Sequence, residues 1–229
     1  MSDAHAGRGT PGRANPAEPF TLDLARGLRL CVEPRLDNIS TCAFLEGEDW
    51  FEDETGFVEE LARLTWPDAL DVGADLGYYS LLIATASGGV SRVTAFEPNP
   101  RTAQLLRRSL QADRSGHLHV TVDERAVGER PGTAILQAGA SPELDRVAPA
   151  GSPGLPVSVT SLDAATAERA REQTTGVARV AFVKLDVEGH EQQAFAGARR
   201  LIEQDDPLWM VEARDGTQLS PAAARALQP

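Results

Sequence analysis

The sequence predicts an α/β fold: a mostly parallel β-sheet with helices on both faces, preceded by a small β/helical extension. Three observations predict it. From residue 69 onward, short apolar runs alternate with stretches of helical length and end in PLWMVEA, the pattern of buried strands joined by crossover helices. A glycine-rich turn, DVGADLG, joins the first of these runs to its helix. Hydrophobic residues make up 41% of the 229, enough for a core of ordinary size.

The elements follow in order. Residues 1–19, rich in Gly, Pro and Ala, form a disordered leader. Residues 20–66 form the extension. In it FTLDLARGLRLCV and ISTCAFL read as short strands. DWFEDETGFVEELARL reads as a helix with an acidic start, because Phe57, Val58, Leu61 and Leu64 share one face. Pro67 ends it. The main domain takes residues 67–229. Its first strand is ALDV, followed by the helix YYSLLIATAS, the strand SRVTAF, the helix RTAQLLRRSLQAD and the strand HLHVTV. TAILQA and LPVSVT are strands around a Gly/Pro/Ser-rich loop, 139–156. Ser161 caps the helix SLDAATAERAREQ. Then come the strand RVAFVKLDV, a single helix GHEQQAFAGARRLIEQ, the strand PLWMVEA and the start of a last helix, SPAAARAL.

Composition excludes several function classes. No run of 18 apolar residues is present, and the N-terminus lacks the apolar core of a signal peptide. A cytoplasmic location follows as the expectation. A formal charge of −12 disfavours nucleic acid and anionic membranes as partners. Two cysteines, Cys31 and Cys42, make neither a disulfide framework nor a metal site and read as buried thiols.

Two stretches carry chemistry. In the first, Asp71, Gly73, Ala74, Asp75 and Gly77 form a turn spaced G-x-x-x-G. Dinucleotide binders use G-x-G-x-x-G, which leaves a dehydrogenase as the weaker reading. Glu97, followed by Pro98, closes the next strand, where a carboxylate can accept hydrogen bonds from both hydroxyls of a ribose. An acid-rich turn suits a cofactor that carries positive charge and no phosphate, and S-adenosylmethionine fits that description. The second stretch is FVKLDVEGHEQQ, holding the only lysine among 22 basic residues. Strand alternation places Lys184, Asp186 and Glu188 on one face, with His190 and Glu191 opening the next helix. Asp186 stands beside the reacting centre, Glu188 or His190 accepts a proton, and Lys184 neutralises the carboxylates or binds the acceptor. Asp186, Glu188 and Glu191 could also chelate a hard cation, but no metal is expected.

DVGADLGYYSLL, AFEPNP and VKLDVEGHE together resemble, in order and spacing, the FkbM family of S-adenosylmethionine-dependent methyltransferases, from about residue 48 to 216. The resemblance implies a Rossmann-like class I methyltransferase fold. It implies O-methylation of a hydroxyl on a sugar or natural-product intermediate, in some members beside a glycosyltransferase. It further implies that Gly73, Ala74 and Gly77 line the cofactor and that Tyr78, Tyr79 and Ser80 begin the helix beside it. Glu97 would hold the ribose, and Glu124 to Ala126 would lie near the adenine. Family members usually carry Asn where this chain has Asp75, so a donor there is lost. They also continue through further strands beyond the point where this sequence stops. A shortened, non-catalytic binding module is therefore the alternative reading.

Overall fold

The alternation in ALDV and the runs after it governs the computed structural model, which describes residues 18–34, 54–64, 68–139, 144–149, 151–172 and 179–212. The chain opens on an antiparallel hairpin, β1 (Phe20–Asp23) and β2 (Arg29–Val32), followed by α1 (Thr55–Arg63). Next come β3 (Asp68–Val72), α2 (Tyr78–Ala86), β4 (Arg92–Phe96), α3 (Pro100–Ala112) and β5 (His119–Asp123). Four short strands follow: β6 (Ala126–Val127), β7 (Gly132–Gln137), β8 (Arg146–Ala148) and β9 (Leu155–Thr160). The chain then runs through α4 (Leu162–Glu172), β10 (Val180–Leu185), α5 (Glu191–Ala196), α6 (Arg199–Gln204) and β11 (Leu208–Val211).

Five of these strands form one parallel sheet in the order β11-β10-β3-β4-β5. Its two faces are read from the pleat. Ala69, Val93 and Phe182 pack against α1, α2, α3 and the N-terminal hairpin, while Leu70, Val72, Phe96, Val183 and Leu185 pack against α4, α5 and α6. The hairpin is tied on through Arg29 Nη1, which donates to the Ala112 carbonyl at 2.8 Å, and Cys31 N, which donates to Ser109 Oγ at 2.8 Å. Capping is local: Asn99 Oδ1 accepts from Arg101 N at 3.0 Å, and Ser161 Oγ from Ala164 N at 3.2 Å. At the lower rim, buried Asp68 accepts from Arg92 Nε at 2.9 Å and Arg169 Nη2 at 3.0 Å. Asp68→Ala removes the buried acceptor that both guanidiniums share, and we expect urea unfolding to report a loss of about 2–3 kcal/mol.

TAILQA and LPVSVT, which the sequence assigned to no particular sheet, are strands as expected and lie outside the parallel sheet. With β6 and β8 they build a second sheet in the order β6-β9-β7-β8, antiparallel except for the β6–β9 pair. The links from β7 to β8 and from β8 to β9 are each shorter than a parallel crossover needs, which favours antiparallel pairing of β8 with β7. The single helix after β10 is two. Asp163 accepts from Arg200 N at 3.1 Å and Leu201 N at 3.0 Å, so its carboxylate caps α6 as a separate helix. Finally, β10 stops at Leu185 rather than Val187, because Glu188 adopts a left-handed backbone (φ 53°). The ISTCAFL strand, Cys42, Pro67, the leader up to residue 17 and everything after residue 212 lie outside the described residues. Among the described residues, no helix is long and apolar enough to cross a membrane.

Candidate functional site

In the parallel sheet the chain leaves β3 toward β4 on one side and returns as β10 on the other. At such a reversal the loops after the two central strands diverge to opposite faces and open a crevice above their carboxyl ends. Here the loops touch before they part. Asp186 N donates to the Val72 carbonyl at 3.0 Å. A Cβ on Gly73 would sit 1.7 Å from the Asp186 carbonyl oxygen. The glycine is therefore required by the neighbouring backbone as well as by its φ of 78°. Gly77 (φ 90°) begins α2 against Leu106, whose Cδ1 lies 2.0 Å from where a Cβ would be.

Beneath this crossing lies a buried polar cluster. Lys184 and Asp71 are register partners on adjacent strands and point to the same face. Lys184 Nζ donates to the Gly73 carbonyl at 3.2 Å and to Asp186 Oδ2 at 3.0 Å, and stands 5.3 Å from the Tyr79 ring centre. Asp71 is fully buried and accepts from Ser80 Oγ at 2.6 Å. Burial raises its pKa, and the nearby Lys184 charge opposes that rise. The lone lysine is thus the counter-charge of a buried aspartate and the anchor of Asp186.

Above the cluster opens a cleft toward solvent. Gly73, Ala74, Asp75, Tyr78 and Tyr79 line one wall, Glu97 and Pro98 the next, and Lys184, Asp186 and Glu188 a third. Leu136, Asp145 and Val147 of the second sheet approach from the far side. Glu97 is held firmly: Oε1 accepts from Asn99 N at 2.8 Å and Oε2 from Asp75 N at 3.0 Å. Burial, with the Asp75 carboxylate beside it, pushes Glu97 up to about 8. Asp75 has a left-handed backbone, φ 46°. Asp and Asn tolerate that conformation better than other non-glycine residues, so the exchange at this position keeps the turn.

Six candidate residues lie elsewhere. Asp71, Gly77 and Ser80 sit behind the wall as described. Glu124 points away and pairs with Arg107 on the surface. His190 Nε2 stands 3.4 Å from where a Cβ on Gly128 would be, and the residue does not line the cleft; burial lowers its pKa. Glu191 is buried and accepts from Gly189 N at 2.9 Å. Glu188 does reach the cleft, through its left-handed turn rather than through the pleat.

Sequence reasoning missed Asp145 and Glu212, and gave Arg125 no role beyond its place in the Glu124 to Ala126 span. Arg125 lines the cleft with Ala126 and Val127 and is fixed by Asp123 (Nη2 to Oδ2, 2.7 Å) and Glu168 (Nη2 to Oε2, 2.8 Å). The D-x-R spacing on one strand face was its available signal. Asp145 had none, since its loop reaches the cleft only through hairpin pairing. It accepts from Asn99 Nδ2 at 2.7 Å and Gly139 N at 2.8 Å.

The turn, Glu97 and the VKLDVEGHE block all fall within residues 71–224, which match the family model of the methyltransferase FkbM domain. The chain belongs to the FkbM methyltransferase domain family. Among solved structures this FkbM chain is similar to methyltransferase FkbM from Methylobacillus flagellatus KT, with 22% identity over 65% of this chain and 33% of that one, at a TM-score of 0.44. It is also similar to the cofactor-bound Rv0187 protein from MTB, with 18% identity over 78% of this chain and 65% of that one, at a TM-score of 0.40. It spans a third of the first of these proteins and just under two thirds of the second. No curated protein matches it. The N-terminal extension precedes the matched FkbM span.

Proposed function

We propose that this FkbM domain binds S-adenosylmethionine in the cleft and transfers its methyl group to a hydroxyl of a sugar or natural-product intermediate. One observation carries the cofactor reading. Among the described residues, five carboxylates, those of Asp75, Glu97, Asp145, Asp186 and Glu188, line the cleft against two cations, Arg125 and Lys184. Both cations already serve acidic partners. Such a lining repels the phosphates of a dinucleotide and attracts a sulfonium and an ammonium. The donor set therefore fits the cofactor.

Glu97 would take the ribose. Each of its oxygens accepts one backbone N–H and keeps a further lone pair for a hydroxyl. Arg125, Ala126, Val127 and Phe96 would border the adenine from the β4 and β5 ends. The Gly73–Asp75 turn would face the amino-acid portion. When bound, the sulfonium supplies an electrophilic methyl carbon. Asp186, fixed by Lys184, and Glu188 stand where an incoming hydroxyl would be aligned and relieved of its proton. The chemistry of the acceptor, and any glycosyltransferase acting in the same pathway, follow from the family reading.

Calorimetry tests the proposal: S-adenosylmethionine should bind, and NAD should not. Preference for NAD, or binding of neither, overturns it. The pH dependence has a defined sign. Glu97 is pushed up to about 8, whereas two hydroxyl donors favour its ionised form. Binding should therefore expel a proton below about pH 8, and affinity should climb as pH rises toward that value. Titration in two buffers of different ionisation enthalpy measures this release. In Glu97→Gln the release should vanish and affinity should fall roughly 10- to 100-fold.

A further inference from the structure

Beside Asp186, at the carboxyl end of the neighbouring strand, stands a second acid that the reaction can use. Leu185 and Val211 are register partners, and Glu212 N donates to the Leu185 carbonyl at 3.0 Å. The ladder thus continues one residue past β11 and sets Glu212 alongside Asp186. The two carboxyls therefore stand side by side on adjacent strand ends, close enough for each to feel the other's charge. Glu212 is exposed at the rim and does not line the cleft; Asp186 lines it.

We propose that Asp186 and Glu212 act as one proton-accepting unit, Asp186 meeting the acceptor hydroxyl and Glu212 holding the proton behind it. The inference rests on reading the cleft as a site of methyl transfer to oxygen. In the balanced step, the hydroxyl oxygen forms a bond to the methyl carbon and the carbon–sulfur bond breaks. Its electron pair stays on sulfur, and the hydroxyl proton ends in the Asp186–Glu212 hydrogen bond. Two adjacent carboxylates repel, and taking up one proton relieves that repulsion. Lys184 keeps Asp186 oriented, with Nζ 3.0 Å from Oδ2. The charged groups facing Glu212 are Asp186 and Glu188 from the loop after β10 and Lys184 from β10 itself. Partial burial, with Asp186 and Glu188 opposing its ionisation and Lys184 favouring it, pushes Glu212 up to about 7. That value suits a base working at neutral pH. His190, the intrinsically better base, lies outside the cleft.

Carbon-13 NMR of side-chain carboxyls, in the protein without ligand, should show one group titrating near pH 7 that disappears in Glu212→Gln. Sinefungin carries an amine cation where the sulfonium stands and should lower that midpoint by about one unit. S-adenosylhomocysteine, neutral at sulfur, should leave it nearly unmoved. Release of S-adenosylhomocysteine from S-adenosylmethionine, assayed with a panel of sugars and phenols, should rise through an apparent pKa near 7. Glu212→Gln should lose that acid limb while keeping its calorimetric affinity for S-adenosylmethionine. Absence of a carboxyl titrating near pH 7 overturns the inference. So does its survival in the variant, a midpoint indifferent to bound sinefungin, or an unchanged acid limb. Failure of the function reading is a different result: neither analogue binds, while the titration can still be measured.

Discussion

Gly73→Ala should lower the thermal midpoint by roughly 10 °C and remove measurable S-adenosylmethionine binding. The new methyl must occupy a position 1.7 Å from the Asp186 carbonyl oxygen and 2.8 Å from its carbonyl carbon. Both atoms are backbone, and Asp186 N is itself tied to the Val72 carbonyl, so neither side yields cheaply. A left-handed alanine costs about 1–2 kcal/mol, and forced overlap in a packed site adds about 1–3 kcal/mol. For a domain of this size each kcal/mol lowers the midpoint by about 2–4 °C. Gly27→Ala supplies the control, because Gly27 has nearly the same φ, 75°, with nothing within 4 Å of the added methyl. The difference between the two variants isolates the overlap. Equal losses would mean that the two loops are not in contact in solution.

Lys184→Met should cost about 3–5 kcal/mol near neutral pH, because it leaves a fully buried carboxylate without its cation. Asp71 Oδ1 already lacks a hydrogen-bond partner, which leaves Ser80 Oγ as the donor on record for that side chain. The pH dependence distinguishes this cause from lost packing. Burial already raises the Asp71 pKa in the fold, and removing Lys184 raises it further. The folded variant then binds the proton more tightly than the unfolded chain. Its stability is fullest below the ordinary aspartate value and falls as pH rises through the folded-state value. Urea unfolding at several pH values measures the slope. Lys184→Met/Asp71→Asn should recover much of the loss and flatten the slope. A Lys184→Met protein as stable as the parent would remove the counter-charge role.

Where local chemistry decided the structure, the sequence was readable. The β3 turn, the Asn99–Pro100 start of α3 and the Ser161 cap each depend on residues within a few positions of one another. The alternation in RVAFVKLDV placed Lys184 on the correct face. It failed four residues later, because the backbone turns left-handed at Glu188. His190 attracted attention for its intrinsic pKa, which says nothing about direction. Its ring follows the start of α5 away from the cleft. Arg125 fell inside the Glu124 to Ala126 span without a role of its own, and it and Glu124 point to opposite sides of the same strand end. Asp145 and Glu212 depend on pairings between distant segments, hairpin in one case and parallel ladder in the other. No local pattern encodes those.

The second sheet has a consequence for how this site can diversify. Its segment leaves the main sheet at β6 and returns through β9, and these two strands are paired neighbours, Ala126 with Val159 and Val127 with Thr160. Exit and re-entry are thus stapled together, and whatever chain lies between them can lengthen, shorten or be exchanged without shifting β5 or α4. The far wall of the cleft is in effect a detachable cassette, mounted beside a floor that depends on fixed backbone crossings. On the proposed function, exchanging the cassette would remodel the acceptor side while the floor stays as it is.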